Sequence, residues 1–218
     1  MATLWVFGDS FSTPFDSPYI DLWAKEYINW KGYTPKIYSQ IIATKLEMKL
    51  ETFAKGGLDN YTILETICEN IDKIKDDDIL IIGWSSTLRF RLIDNFSNTL
   101  SIIPNFKTNL SNINFISSQT IEEVLLNRSQ HYNNYDYELY RWTRLINKSL
   151  NCKVIHWKWE VLTQYETIKI ETNYEINDGH YSESGHLELA KDFIKHLNLK
   201  KQIYYAHQFT TKKEKKIF

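Results

Sequence analysis

Residues 4–10 read Leu-Trp-Val-Phe-Gly-Asp-Ser, a short apolar run that ends in a glycine and two polar residues. Four consecutive large apolar side chains are typical of a strand that is covered on both faces of a sheet. Residues 79–82 form a second run of this kind, Ile-Leu-Ile-Ile, and Gly83 follows it at once. Both runs predict central strands of a parallel sheet, with small residues where each strand ends.

Helical patterns alternate with these strands along the chain. Residues 63–74 carry an isoleucine stripe at spacings of four, four and three, and Asn60 is predicted to cap this helix. Thr34-Pro35 is predicted to open an earlier helix, and Ser182 to cap the last one. Further helices are expected near residues 121–126 and 137–150, and further strands over 50–54 and 153–157. This alternation predicts a three-layer α/β/α sandwich around a central parallel sheet.

The length of 218 residues suits one domain with a substantial core. We expect that domain to span residues 1–200, with an irregular insertion, rich in Asn and Ser, near residues 89–119. Residues 201–218 contain four closely spaced lysines and are predicted to form a basic, solvated C-terminal tail.

The overall composition argues against several classes of partner. The formal net charge is -1, which gives no electrostatic reason to expect nucleic acid. Two cysteines are too few for a zinc cluster, and a chain of this size needs no disulfide scaffold. No signal peptide or membrane-spanning segment is evident. We therefore expect a soluble protein, cytoplasmic or otherwise, with no membrane partner; the sequence does not indicate its oligomeric state.

Small and polar residues follow three of the predicted strands, and a fourth such group precedes the last helix. In open parallel sheets, ligands bind beyond the carboxyl ends of the strands. A serine, an Asp/His pair and backbone-exposing turns at one such edge would suit acyl transfer. The four groups are Gly8-Asp9-Ser10, Gly56-Gly57, Gly83-Trp84-Ser85 and Asp178-Gly179-His180.

The order and content of these groups resemble the signature blocks of SGNH (GDSL) hydrolases. Gly8-Asp9-Ser10 resembles the first block, and residues 178–186 resemble the terminal block, in which a Gly-His pair follows the catalytic histidine. Gly57 and Gly83 match the glycines of the second and third blocks. Two departures stand out: Ser85 replaces the usual asparagine of the third block, and the aspartate precedes its histidine by two residues instead of three.

The resemblance implies a flavodoxin-like SGNH hydrolase fold and a role for each matched residue. Ser10 would be the nucleophile, His180 the general base, and Asp178 the carboxylate that orients the histidine. The oxyanion would be held by the backbone N–H groups of Ser10 and Gly57. The side chain of Ser85 or of Asn60 would add a further donor, and no metal or organic cofactor would be needed.

The implied activity is hydrolysis of carboxylic esters, with a small-molecule or glycan ester as substrate, such as an acetylated carbohydrate. Trp84 is expected near the bound substrate, because it lies beside the predicted oxyanion position. Two alternatives remain open. An acyltransferase would use the same triad with an alcohol as acceptor, and a non-catalytic module for glycan binding or assembly would explain the altered third block.

Overall fold

A computed structural model describes residues 1–18, 20–93, 99–102, 118–159, 164–171, 175–198 and 204–205. In these ranges the strands are β1 (Thr3–Gly8), β2 (Lys49–Thr52), β3 (Ile79–Trp84), β4 (Phe90–Ile93), β5 (Thr99–Ile102), β6 (Lys153–Lys158), β7 (Thr167–Glu171), β8 (Glu175–Tyr181) and β9 (Tyr204–Tyr205). Five of them form one parallel sheet in the order β2-β1-β3-β6-β9. When these five strands are renumbered by their order along the chain, the sheet order is 2-1-3-4-5, which is the order of flavodoxin-like sheets.

The helices of the described ranges are α1 (Leu22–Lys31), α2 (Tyr38–Lys45), α3 (Asn60–Asn70), α4 (Ser118–Gln130), α5 (Tyr132–Ser149) and α6 (Glu183–Leu197). Short 3-10 turns cover Ser10–Ser12 and Ile71–Lys73. Among these described helices, none is both long enough and apolar enough to span a membrane.

Alternate residues of β1 pack against opposite layers of helices. Leu4 and Val6 belong to a core cluster that includes residues of α2 and α6. Trp5 and Phe7 belong to a second cluster, with residues of α3 and α5. A strand that is buried on both faces therefore lies between two helical layers, as its continuous apolar run predicted. The three-layer α/β/α sandwich expected from the sequence is confirmed.

Two of the predicted helix starts are shifted along the chain. The helix expected from Pro35 begins instead at Tyr38, where the Gln40 side chain accepts a hydrogen bond from the Ile37 N–H at 3.1 Å. The cap of α3 is Asp59 and not Asn60, because the Asp59 carboxylate accepts hydrogen bonds from the N–H groups of Tyr61 and Thr62. The Asn60 side chain is thereby free for another contact.

The last helix begins as the sequence predicts. The hydroxyl of Ser182 accepts a hydrogen bond from the Gly185 N–H at 3.2 Å, which makes Ser182 the N-cap of α6.

Two antiparallel hairpins are additions to the predicted fold. The first, β4 with β5, lies inside the stretch 89–119 that the sequence predicted to be irregular; residues 94–98 and 103–117 of that stretch are outside the described residues. The second, β7 with β8, places Asp178, Gly179 and His180 in a strand that ends just before the last helix, and the sequence did not predict this hairpin. Of the predicted basic tail, only β9 is described, at the edge of the sheet beside β6.

His156 of β6 is a buried histidine with both ring nitrogens in contact with polar groups. Nδ1 accepts a hydrogen bond from Trp84 Nε1 at 3.1 Å, and Nε2 lies 3.1 Å from Asn147 Oδ1. Because Nδ1 is the acceptor, the ring is neutral and its proton is on Nε2. Burial of this ring lowers the pKa of His156 to about 3.

We predict that His156 makes the folded protein acid-labile. Below about pH 6.5 the unfolded chain binds a proton at this position that the folded chain does not bind until about pH 3. The free energy of unfolding should therefore fall by about 1.4 kcal/mol per pH unit on account of this group as the pH is lowered through that window. Replacing the ring by an amide, His156→Gln, should remove this component of the slope in urea unfolding measured from pH 7 to pH 4. Equal slopes for the two proteins would contradict the assignment.

Candidate active site

The site is built on two glycines that lie side by side at the carboxyl edge of the sheet. Gly8 of β1 and Gly83 of β3 are register partners. The Ser12 hydroxyl lies so close that a Cβ atom on Gly83 would be 2.5 Å from it, and one on Gly8 would be 2.7 Å away. Bare backbone at both positions lets the chain fold back across the strand ends as the turn Ser10–Ser12. This edge, between β1 and β3, is the point at which the strand order reverses, where doubly wound sheets bind ligands.

Asp9 holds that turn in place. Its Oδ1 accepts from the Phe11 N–H at 3.1 Å, and its carbonyl accepts from the Thr13 hydroxyl at 3.0 Å. The Asp9 side chain is 1% exposed, and this burial raises its pKa, while the nearby Arg89 guanidinium acts in the opposite direction. Arg89 Nη1 lies 3.1 Å from Asp9 Oδ2, so the buried carboxylate has a charged partner.

The same guanidinium connects two loops that each present an unused backbone donor. Arg89 Nη1 also donates to the Leu58 carbonyl at 3.4 Å, directly after Gly57. Gly57 has a φ of 81°, the left-handed conformation that glycine adopts without strain. Within the described part of the chain, the N–H groups of Ser10 and Gly57 donate no hydrogen bond. Both are thus available to an incoming oxygen.

The structure brings His180 to Ser10 from 170 residues away. His180 Nε2 lies 2.7 Å from Ser10 Oγ, within hydrogen-bond distance. The imidazole ring is stacked between two aromatic rings, Phe11 at 4.2 Å and Trp23 at 4.0 Å between centroids. Trp159 stacks on the far side of Phe11 at 4.6 Å, which completes a column of four rings. Face-to-face contact on both sides fixes the plane of the imidazole and directs Nε2 toward the serine.

Asp178, the predicted orienting carboxylate, belongs to β8 two residues before His180. Its side chain is outside the part of the chain that the structure describes. Its role in orienting His180 therefore stays a prediction. The aromatic stacking is a separate means of fixing the ring, which was not predicted from the sequence.

Asn60 and Ser85, the two candidate side-chain donors to an oxyanion, are bonded to each other through the backbone of Ser85. Asn60 Nδ2 donates to the Ser85 carbonyl at 3.0 Å, and Asn60 Oδ1 accepts from the Ser85 N–H at 2.7 Å. This pair of bonds ties the end of β3 to the first turn of α3. The Ser85 hydroxyl is buried and faces the Asp9 carboxyl group, where it acts to lower the pKa of Asp9. The oxyanion roles of both side chains remain predictions.

Trp84 does not occupy the position that the sequence predicted. Its side chain is 2% exposed and packs in the cluster beneath α3 and α5, with its Nε1 donating to His156. The physical reason is the alternation of β3, which directs Trp84 to the same helical layer as Leu80 and Ile82. The tryptophan at the site is instead Trp23 of α1. Its spacing of four and seven from Tyr27 and Trp30 was the available signal.

A narrow crevice opens beside Ser10. It has a volume of about 10 Å³, which is room for roughly one water molecule. Among the described residues, no group of three or more His, Cys, Asp or Glu side chains is arranged to hold a metal ion. The crevice is lined by Ser10, Thr13, Phe15, Ile20, Asp21, Trp23, Ala24 and Gly56.

No protein-family model matches the chain, and no curated protein matches it. Among solved structures, it is similar at 10% sequence identity to one named for the G-D-S-L family of lipolytic proteins, from Desulfitobacterium hafniense DCB-2. The similarity covers 90% of this chain and 99% of the other, with a TM-score of 0.35. A similarity at this level does not indicate a function for this chain.

We predict that the substitution Gly83→Ala destabilises the fold. The new methyl group would lie 2.5 Å from Ser12 Oγ and 3.0 Å from the buried Trp157 ring. Overpacking of this kind should lower the free energy of unfolding by about 2 kcal/mol in urea titrations. Gly179→Ala is the matched control, because a Cβ there meets nothing within 4 Å. If both variants were as stable as the wild type, the described packing of the turn against the sheet would be wrong.

Proposed function

We propose that this protein is a serine-dependent hydrolase of carboxylic esters, with Ser10 as nucleophile and His180 as general base. The observation that carries the proposal is the 2.7 Å separation of His180 Nε2 from Ser10 Oγ. A serine hydroxyl is a weak nucleophile until a base within hydrogen-bond reach can accept its proton. The pair lies at the sheet edge where this fold type binds ligands, beside two unused backbone donors.

In the first half of the proposed reaction, Ser10 Oγ attacks the carbonyl carbon of the ester. A bond forms between Oγ and that carbon while the hydroxyl proton passes to His180 Nε2, and the carbonyl electron pair moves onto oxygen. The N–H groups of Ser10 and Gly57 are the proposed donors to this oxyanion. Loss of one such donor typically costs about 3 kcal/mol of transition-state stabilisation.

In the second half, the ester bond breaks and the products leave. The carbonyl re-forms, the bond to the alcohol oxygen breaks, and His180 returns its proton to the leaving alcohol. Water then attacks the acyl group on Ser10 and gives a proton to His180. Collapse of this second intermediate releases the carboxylic acid and returns the proton to Ser10 Oγ, so the enzyme is regenerated.

The two rings that hold His180 also suit the charge that it acquires. An imidazolium forms whenever the ring carries the proton of Ser10 or of water. The faces of Phe11 and Trp23 bear partial negative charge and attract a cation placed against them. The carboxylate of Asp178, in its predicted role, would also stabilise the imidazolium form of His180.

The size of the crevice supports esters of short acyl groups. The space beside Ser10 is about 10 Å³ and is bounded by the buried side chain of Phe15 and by Trp23. An acetyl group has only three heavy atoms and would displace few packed side chains, whereas a long acyl chain would have to displace many, which costs energy. The proposed acyl group is therefore small, with acetyl as the first case to examine.

The test of this function is hydrolysis of p-nitrophenyl acetate by the wild type and by variants. Ser10→Ala and His180→Ala should each lower kcat by roughly 10⁴-fold or more, since each removes a member of one catalytic unit. Ser149→Ala and His131→Ala are matched controls, because both residues are exposed on the surface of the helical layer, and they should keep full activity.

Retention of more than a few per cent of activity by purified Ser10→Ala protein would exclude this serine as the nucleophile. Acetate and p-nitrophenol should be released in equal amounts; transfer of the acetyl group to an added alcohol in place of acetate release would show an acyltransferase. Faster turnover of p-nitrophenyl octanoate than of the acetate would contradict the short acyl group and leave the nucleophile assignment intact.

A further inference from the structure

The crevice beside Ser10 has a carboxylate in its wall. Of the described residues that line it, Asp21 alone carries a charge, and it is the exposed N-cap residue of α1. Because the crevice has room for roughly one water molecule, any group that occupies it lies close to every residue of its wall. An acyl group bound to Ser10 is therefore placed beside Asp21.

Asp21 is held between two parts of the candidate site. Its Oδ2 lies 3.0 Å from the place that a Cβ atom of Gly56 would occupy, so the carboxylate packs on the turn of Gly56 and Gly57. On its other side, Trp23 Nε1 donates to Asp21 Oδ2 at 3.3 Å, and the same indole stacks on His180. The carboxylate thus lies between the backbone next to a proposed oxyanion donor and the ring that holds the proposed base.

The charge of Asp21 is not balanced by a cation within the part of the chain that the structure describes. Its hydrogen-bond partner there, the Trp23 indole, is a neutral donor. By contrast, the Asp9 carboxylate is buried and paired with Arg89. A carboxylate has about four acceptor positions, of which one indole N–H fills a single one. A group that enters the crevice therefore meets a carboxylate without a charged partner.

We propose that Asp21 selects esters whose acyl group carries an ammonium group close to the carbonyl, as in an ester of a small amino acid; this inference rests on the proposed esterase function. An ammonium group would replace the water around the carboxylate with N–H donors and an opposite charge. An alkyl group would remove that water and give no hydrogen bond in return, and an anionic group would be repelled.

The charge of Asp21 also acts on the transition state. The proposed oxyanion forms beside the N–H of Gly57, and the Asp21 carboxylate lies against Gly56, the residue before it. Two negative charges so close to each other repel, which raises the barrier for an uncharged acyl group. An ammonium group on the carbon next to the carbonyl lies near both charges and offsets that repulsion.

The experiment compares the p-nitrophenyl esters of glycine and of propionic acid, at a pH at which the glycyl ammonium group is charged. The two acyl groups are matched in size and differ in an ammonium group against a methyl group. Asp21→Asn should lower the ratio of kcat/KM for the glycine ester to kcat/KM for the propionate by about fivefold, the size expected for an exposed ion pair. The intrinsic reactivities of the esters cancel, because the same pair is used for each protein.

Two controls separate the charge of Asp21 from its place in the fold. Asparagine is as good an N-cap as aspartate and can still accept from Trp23, so Asp21→Asn should fold normally. Asp72→Asn, at an exposed residue of the turn Ile71–Lys73, should leave the ratio unchanged. Added salt should lower the ratio in the wild type and not in Asp21→Asn, since it screens an exposed charge. Equal losses for both esters in Asp21→Asn, or an unchanged ratio, would overturn the inference and leave the esterase proposal standing.

Binding by the Ser10→Ala protein tests the inference independently of catalysis. The p-nitroanilides of glycine and of propionic acid are stable amides of the same acyl groups, and calorimetry should show tighter binding of the glycine compound. Loss of this preference in the Ser10→Ala, Asp21→Asn double variant supports the inference even if the wild type hydrolyses neither ester. Equal affinity of the Ser10→Ala protein for the two anilides overturns it.

Discussion

The close approach of Ser12 to the bare backbone of Gly8 and Gly83 is the constraint on which the rest of the site depends. Gly8 is the last residue of β1, and its register partner Gly83 lies one residue before the end of β3. A Cβ atom at either position would collide with the Ser12 side chain. Ser10 is the first residue of the turn Ser10–Ser12, and Phe11 is the second. The buried Asp9–Arg89 pair then ties the turn to the loop of Gly57, so the nucleophile and both proposed oxyanion donors form one unit.

His180 reaches this unit from a separate part of the chain through the β7–β8 hairpin. Its ring is held by contacts with Phe11 from the turn and Trp23 from α1, so three segments distant in sequence converge on one imidazole. The orientation of the His180 ring is therefore fixed by its packing between two aromatic side chains. The same helix that supplies Trp23 also carries Tyr27 and Trp30, which line a second, larger groove.

Local patterns were sufficient to predict much of this from the sequence. The apolar runs of β1 and β3, the glycines after them and the Ser182 cap are each encoded by a few adjacent residues. The cap of α3 was displaced by one residue because Asp59 and Asn60 are comparable caps, and only backbone geometry chooses between them. The alternation of β3 already places Trp84 on the same face as Leu80 and Ile82. The stacking of Trp23 on His180 and the hairpin that carries His180 depend instead on long-range packing, which no local pattern reveals.

The central claim is that Ser10 is an activated nucleophile, and labelling with a fluorophosphonate tests it most directly. Attack by Ser10 Oγ forms a bond to phosphorus and expels fluoride, and the adduct is mapped by mass spectrometry of the digested protein. We expect one adduct, on the peptide that contains Ser10. It should disappear when the protein is unfolded first and be strongly reduced in His180→Ala. A native protein that stays unlabelled, or that carries the label on another residue, would contradict the claim.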